Sequence, residues 1–199
     1  MLASRAAARA HTNNLYMGEQ IQFRDIMEVL EAIKSRRSVR KYKSVPIPED
    51  MLQRVLNAAR LAPSAANMQP WEFVVVMDED VKKRLSQACV NMPWVLRAPV
   101  MIVAIADMDS AFAMIGGYMN SAPVDVAISL DHLTLAAVSE GLGTCWIGAF
   151  REEKVQEALG IPAGKRIVSL MTLGYPEETP GPTGRKHLSE IVSYDKYED

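Results

Sequence analysis

Apolar residues recur at intervals of three and four along several stretches of the chain, which is the spacing of a helix with one buried face. These stretches predict a first helix that begins near Asp25. They predict four further helices over residues 48–63, 78–88, 124–139 and 152–159. The stretch 124–139 is the longest and is apolar on most of its circumference. A helix of that kind needs cover on both sides. Gly141, which follows it, is typical of a helix C-cap.

Between these stretches lie short apolar runs that are rich in β-branched and aromatic residues, a composition typical of strands. They predict strands over residues 71–77, 100–106, 144–147 and 167–173. Helices and strands are therefore mixed along the chain. Residues 107–122, which include Gly116 and Gly117, show no clear period, so a mobile loop and a short helix both remain open there.

Composition narrows the class of protein. The 199 residues are 49% hydrophobic, which is enough for one domain with a sizeable core. The 22 basic and 24 acidic side chains leave a net charge of −2, so no overall positive field would hold nucleic acid or an anionic membrane. The longest apolar run, residues 98–106, has about half the ~18 residues that indicate a membrane span. We therefore expect a soluble protein that binds neither.

The two cysteines, Cys89 and Cys145, are far apart in the sequence. They form neither a disulfide framework nor a metal-binding spacing with histidine. A reducing cytoplasm is therefore the compartment that fits best, and no metal site is expected.

The N-terminal part differs in composition from the rest, because residues 1–18 contain no acidic side chain. We expect residues 1–24 to form a flexible extension and residues 25–199 to form a single domain. A transit peptide would also be rich in arginine and alanine, but two arginines are few for one. A true start at Met17 or Met27 is the other alternative.

The densest chemical feature is the segment 34–43, in which six of ten residues are basic and none is acidic. Because guanidinium groups match the geometry of phosphate, Arg36, Arg40 and the Ser38 hydroxyl are candidates to bind one dianion. A solvated basic face or a nuclear-localisation-like patch is the alternative.

A polar loop, residues 63–70, separates the second helix from the first strand. Asn67 and Gln69 offer hydrogen-bond donors and acceptors that suit the edge of a planar heterocycle, and Ser64 adds a hydroxyl. A simple turn is the alternative. The glycines of 141–148 do not form a dinucleotide fingerprint, because a helix precedes them and a strand follows. Gly148 would instead let the backbone approach a flat ligand.

Four motifs, in this order and spacing, together resemble the nitroreductase-like FMN-dependent flavoproteins. They are Arg36-Arg-Ser-Val-Arg40, Pro63-Ser-Ala-Ala-Asn-Met-Gln-Pro-Trp71, Gly141-Leu-Gly-Thr-Cys-Trp-Ile-Gly148 and Arg185-Lys-His-Leu-Ser-Glu-Ile-Val192. The resemblance covers residues 25–196. It implies an α+β fold in which helices flank a mixed sheet, and an intertwined homodimer with two FMN sites at the subunit interface.

The resemblance also implies where the cofactor binds. Arg36, Ser38 and Arg185 would hold its phosphate, with Arg37 beside them, and Arg40 would reach the pyrimidine edge of the flavin. The loop residues would come from the other subunit than the basic segment, while backbone N–H groups of 147–148 would face flavin N5 and O4. The full implied set is Arg36, Arg37, Ser38, Arg40, Pro63, Ser64, Asn67, Gln69, Ile147, Gly148, Arg185 and Lys186.

The activity that the resemblance implies is ping-pong hydride transfer from NADH or NADPH, through flavin N5, to a nitroaromatic, a quinone or a similar planar acceptor. The flavin would carry the chemistry, so no catalytic side chain is expected, and Arg40 would place positive charge near flavin N1 and O2. Two alternatives remain open on the same scaffold. One is a specialised reductive dehalogenase or flavin-consuming enzyme, and the other is a flavin-binding or sensing module without turnover.

Overall fold

The computed structural model describes residues 27–90 and 92–197. The helices are α1 (Val29–Ser35), α2 (Glu49–Arg60), α3 (Glu79–Ala88), α4 (Ala122–Ser139) and α5 (Glu152–Leu159). The strands are β1 (Trp71–Val76), β2 (Val100–Ala106), β3 (Gly143–Ile147) and β4 (Arg166–Gly174). Each predicted helix and strand is confirmed, with shifts of a few residues at the ends. The predicted extension over residues 1–24, and Asp25 as the start of α1, lie outside the described residues.

Within the described part of the chain, the strands form one sheet in the order β1-β2-β4-β3, and each neighbouring pair is antiparallel. The α+β class is confirmed. The parallel component of the expected mixed sheet is a single bridge between Ser38 and Thr144, which sets the chain before α2 alongside β3. β2 and β4 lie in the middle of the sheet, so β1 and β3 form its two edges.

β2 is buried at every position because helices cover both faces of the sheet. Ile102 and Ala104 pack in one cluster with residues of α2 and α4, whereas Met101 and Val103 pack in another with residues of α3 and α5. Successive strand residues point to opposite faces, so a central strand between two helical layers carries a continuous apolar run. The sheet is therefore the middle layer of three.

α4 is the main core helix on its face of the sheet. Its fully buried apolar side chains include Val126, Leu130, Leu133 and Ala137. Ala127 and Val138 of the same helix are half-buried. The helix has the length and apolar composition of a membrane span, yet it packs against α2 and the sheet as a core helix does. It ends before Gly141, whose φ of +76° confirms the predicted C-cap.

Residues 107–121 connect β2 to α4 through turns rather than a helix. The Ile115 N–H donates to the Met119 carbonyl at 2.6 Å, and the Ser121 N–H donates to the Phe112 carbonyl at 2.9 Å. Of the two possibilities that the sequence left open, the structure therefore has the connecting loop. The Phe112 side chain within it is exposed.

Candidate functional site

The basic segment, residues 36–40, is attached to the fold along edge strand β3. The Val39 N–H donates to the Thr144 carbonyl at 2.9 Å, and the Val39 side chain is buried. A Cβ added to Gly143 would lie 2.6 Å from Val39 Cγ2, so the two backbones approach this closely only because Gly143 has no side chain. The sheet thus fixes the position of the segment. A solvated basic face would not require such a fixed backbone.

Tyr42 secures the C-terminal side of the basic segment. Its hydroxyl donates to the Val39 carbonyl at 2.6 Å and lies 2.7 Å from Thr172 Oγ1. Burial raises the pKa of this hydroxyl well above its usual range, so Tyr42 stays protonated and keeps its donor at neutral pH. The segment is therefore tied both to an edge strand and to a central one.

The three arginines of the basic segment present positive charge that no acid in the described part of the chain neutralises through an ion pair. Arg37 Nη1 donates to the Lys34 and Arg36 carbonyls at 2.6 and 2.8 Å. Burial raises the pKa of the Cys145 thiol, while the charges of Arg40 and Arg36 oppose that rise. A cluster of unpaired guanidinium groups beside a sheet edge is suited to an anion such as phosphate.

Arg40 lies over the ring of Trp94, with 5.8 Å between its guanidinium carbon and the ring centroid. Its Nη1 also donates to the Ser38 carbonyl at 3.3 Å. A cation–π contact of this kind contributes roughly 0.5–1 kcal/mol at an exposed site. Trp94 therefore orients the guanidinium of Arg40.

The second polar motif forms a loop with an unusual backbone. Ala66, Asn67 and Gln69 have φ angles of +50°, +56° and +51°, which is the left-handed region. For Ala66 and Gln69 this conformation costs roughly 1–2 kcal/mol each, whereas asparagine adopts it more readily. Ser64 Oγ accepts the Gln69 N–H at 2.9 Å and closes the turn. Strain of this kind concentrates at functional sites, so residues 64–69, the left-handed loop, are more than a simple turn.

A buried carboxylate lies under the left-handed loop. Asp125, in the first turn of α4, is 2% exposed, and its Oδ1 accepts the Ala65 N–H at 3.0 Å. Its other oxygen, Oδ2, is buried and has no hydrogen-bond partner within the described residues. The sequence reasoning did not find Asp125. The available signal was an acid within the most apolar helix of the chain.

The two motifs lie at opposite edges of the sheet. The basic segment runs along β3, whereas the left-handed loop leads into β1. Three inter-strand spacings, about 14 Å, separate these edges. Within one chain, Arg36 and Asn67 therefore lie on opposite edges of the sheet.

Ile147 and Gly148 lie on the same edge as the basic segment. Ile147 ends β3 and is buried, and Ser38 pairs with Thr144 in the same strand. A Cβ added to Gly148 would have no atom within 4 Å. The backbone is thus open on that side, so a planar ring could approach Gly148 closely.

Comparison with known proteins identifies the family. The model of the nitroreductase family matches residues 33–96 and 86–175. The chain belongs to the nitroreductase family. Both the basic segment and the left-handed loop lie inside the matched residues, as do Ile147 and Gly148.

Relatives of this nitroreductase cover most of its length. A protein of Methanothermobacter thermautotrophicus, named as an NADH dehydrogenase/NAD(P)H nitroreductase, is 36% identical over 159 residues, which are 78% of this chain and 81% of that protein. The FMN reductase [NAD(P)H] of Bacillus subtilis is 32% identical over 166 residues, 76% of this chain and 67% of that protein. A crystal structure of a nitroreductase family protein from Clostridium novyi superposes with a TM-score of 0.71 at 36% identity, covering 79% of this chain and 89% of that one.

The C-terminal motif, residues 185–192, is exposed. After β4, Lys41 binds Glu178 at 2.8 Å, and residues 181–190 are then exposed. Arg185 Nη1 donates to Thr183 and Gly184 within its own segment, and Lys186 next to it is exposed. Within the described residues, neither Arg185 nor Lys186 makes a hydrogen bond or ion pair with the other phosphate candidates of the same chain. Both also lie beyond the matched residues 33–175.

Proposed function

We propose that this nitroreductase is an FMN-dependent NAD(P)H oxidoreductase that works as a homodimer with two shared active sites. The observation that carries the proposal is the division of the site, with an unpaired cluster of arginines at one edge of the sheet and a left-handed polar loop at the other. The names of the two relatives, an NAD(P)H nitroreductase and an FMN reductase, support the same chemistry.

The residues at the β3 edge fit the phosphate of FMN. Arg36, Arg37 and Ser38 offer side-chain donors without a competing carboxylate, and a phosphate dianion is an acceptor that such donors bind strongly. Each charge-assisted hydrogen bond of this kind contributes roughly 1.5–3 kcal/mol. Arg185 and Lys186 would join them in the dimer, since their exposed segment extends from the domain that carries them.

The flavin ring would lie between the two half-sites. Pro63, Ser64, Asn67 and Gln69 of one subunit would contact it, and the backbone N–H groups of Ile147 and Gly148 of the other would face its N5 and O4 edge. When bound, FMN would supply the two-electron chemistry between NADH or NADPH and the acceptor. Arg40, whose guanidinium lies over Trp94, would place its positive charge near flavin N1 and O2. This charge would stabilise the negative charge of the reduced flavin.

The described surface also favours a dimer. The apolar side chains of α1 point outward, with Val29 and Leu30 67% and 66% exposed. α4 exposes Val124, and the C-terminal segment exposes Leu188 and Ile191. These exposed apolar side chains are candidates for subunit contacts.

The acceptor would be a small planar molecule such as a nitroaromatic or a quinone. It would occupy the space that the nicotinamide leaves, which leads to ping-pong kinetics. Phe112, Met114 and Tyr118 of the loop 107–121 are exposed and offer apolar surface to such a molecule. Location in the cytoplasm, expected from the cysteines, stays a prediction, and both thiols are free and buried in the structure.

The proposal is tested with the purified protein. Its visible spectrum should show bound flavin, which should bleach under anaerobic conditions when NADH or NADPH is added and recover when a quinone or nitro compound follows. Scattering should report a dimer. A flavin-bound protein that never bleaches would be a binding or sensing module instead, and a well-folded monomer that retains FMN would contradict the shared site.

A further inference from the structure

Asp125 is the single acidic residue among the buried polar side chains of the described ranges. Its carboxylate makes no ion pair there, and Ala65 supplies the hydrogen bond that it accepts. Burying a carboxylate without an opposite charge is unfavourable, although the positive end of the α4 dipole offsets part of the cost. An apolar residue would fill this position more favourably if packing were the sole requirement.

The hydrogen bond from Ala65 joins the left-handed loop to the body of the fold. The other hydrogen bonds that involve residues 64–69 are internal to the loop: Asn67 N–H to the Ser64 carbonyl, Met68 N–H to the Ala65 carbonyl, and those that link Gln69 to Ser64 and Asn67. Within the described residues, no second hydrogen bond crosses from the loop to another element. The loop is thus a closed unit with one polar attachment.

That attachment precedes the strained part of the backbone. Ala65 stands directly before Ala66, the first of the three left-handed residues, and directly after Ser64. No glycine occurs in residues 64–69, so at Ala66 and Gln69 the left-handed conformation is not favoured by the local sequence and must be held by surrounding contacts. Freeing the Ala65 N–H would let the backbone relax toward common conformations and turn Ser64 and Asn67 away.

We propose that Asp125 is a positioning residue that holds the left-handed loop in the shape that presents Ser64 and Asn67 to the cofactor. This inference rests on the proposed function, because it assigns the loop to the FMN site. Asp125 acts through the Ala65 N–H and does not itself touch the reacting atoms.

Three variants separate positioning from general stability. Asp125→Ala removes the acceptor of the Ala65 N–H, whereas Asp125→Asn keeps an oxygen that can accept it. Ser129→Ala is the matched control, because Ser129 lies one turn further along α4, is fully buried, and donates to the Ala59 carbonyl at 2.7 Å. The control thus removes one buried hydrogen bond of the same helix that does not involve residues 64–69.

Two measurements are made on each variant at a temperature at which it is folded. Hydrogen exchange on the flavin-free protein should show faster exchange of the amides in residues 64–69 for Asp125→Ala, with Asp125→Asn closer to wild type and Ser129→Ala unchanged. The Kd for FMN should rise about tenfold for Asp125→Ala, the size expected when a buried hydrogen bond is broken. Ser129→Ala should lower the unfolding midpoint without raising this Kd, and Asp125→Asn should restore most of the affinity.

Unchanged exchange and unchanged FMN affinity in Asp125→Ala would overturn the positioning role, as would an equal loss of affinity in Ser129→Ala. If the wild-type protein binds no FMN, the proposed function fails and the cofactor-positioning role with it. The exchange data from the flavin-free protein would then still show whether Asp125 holds the loop. If the wild-type protein binds FMN and Asp125→Ala binds it equally well, the positioning role fails while the proposed function stands.

Discussion

The basic segment and the left-handed loop carry the two halves of the candidate site, and they are held in different ways. The basic segment is paired to β3 through its backbone, and Val39 and Tyr42 bury their side chains beneath it. The left-handed loop has strained dihedrals and a single polar attachment, at Asp125. Backbone pairing and apolar burial tolerate the loss of one contact, whereas a strained loop with one attachment does not. The two half-sites should therefore respond to mutation differently.

The largest effect is expected where the basic segment meets the sheet. Gly143→Ala places a Cβ 2.6 Å from Val39 Cγ2 and 2.9 Å from Val39 Cβ, in a contact that the β-branched side chain has little freedom to relieve. Such overpacking should lower the free energy of unfolding by about 3 kcal/mol, measured by chemical denaturation. Gly148→Ala is the control: its Cβ meets no atom within 4 Å, so stability should stay near wild type while FMN affinity falls. Equal stability losses in the two variants would contradict the close packing at Gly143.

Removing charge from the basic segment should weaken flavin binding without unfolding the protein. Arg36→Ala should raise the Kd for FMN by about tenfold or more, because one charge-assisted hydrogen bond contributes about 2 kcal/mol. Lys34→Ala removes the same charge from an exposed position that pairs with Glu31 at 3.2 Å, so it should change the Kd little. Undiminished flavin content in purified Arg36→Ala would refute the phosphate assignment.

Relieving strain in the left-handed loop should change stability in the opposite direction. Ala66→Gly suits a φ of +50°, and the relief should exceed the extra entropy of the unfolded chain by about 0.5 kcal/mol. Ala65→Gly, at the neighbouring residue without a left-handed φ, should lower stability by a similar amount. Denaturation curves of both variants give the comparison. A loss of stability in Ala66→Gly would mean that the loop is not strained.

The smallest effect concerns how Asp107, which follows β2, makes the stability of the fold depend on pH. Lys165 lies 2.6 Å from Asp107, and its hydrogen bond holds the pKa of that carboxyl below its usual range. A depressed pKa in the folded state contributes stability at pH values above the unfolded pKa, and this contribution is lost as the pH falls below about 4. Asp107→Asn should therefore flatten the decline of the unfolding midpoint below that pH. Asp109→Asn, two residues away, should leave the decline unchanged; a matching change there would assign the effect to net charge.

Secondary structure was largely predictable because burial imposes a period on each element. β2 matched its predicted bounds since both of its faces are covered, and α5 matched because Val155 points one face into the core. The backbone of the left-handed loop could not be predicted, because alanine and glutamine carry no signal for a left-handed φ and the signal of a single asparagine is weak. Asp125 was not predicted for a related reason. An acid in the first turn of a helix is common, because it interacts favourably with the helix dipole.

The sequence by itself determined the order of the elements, the two polar motifs and the family, because periodic burial and motif spacing are local properties of the chain. Tertiary structure alone decided that the motifs lie on opposite edges of the sheet, that Asp125 lies under the loop, and that Trp94 lies under Arg40. These are contacts between residues distant in the chain. They follow from how the strands are ordered and from which helices pack on them, and no local pattern records either.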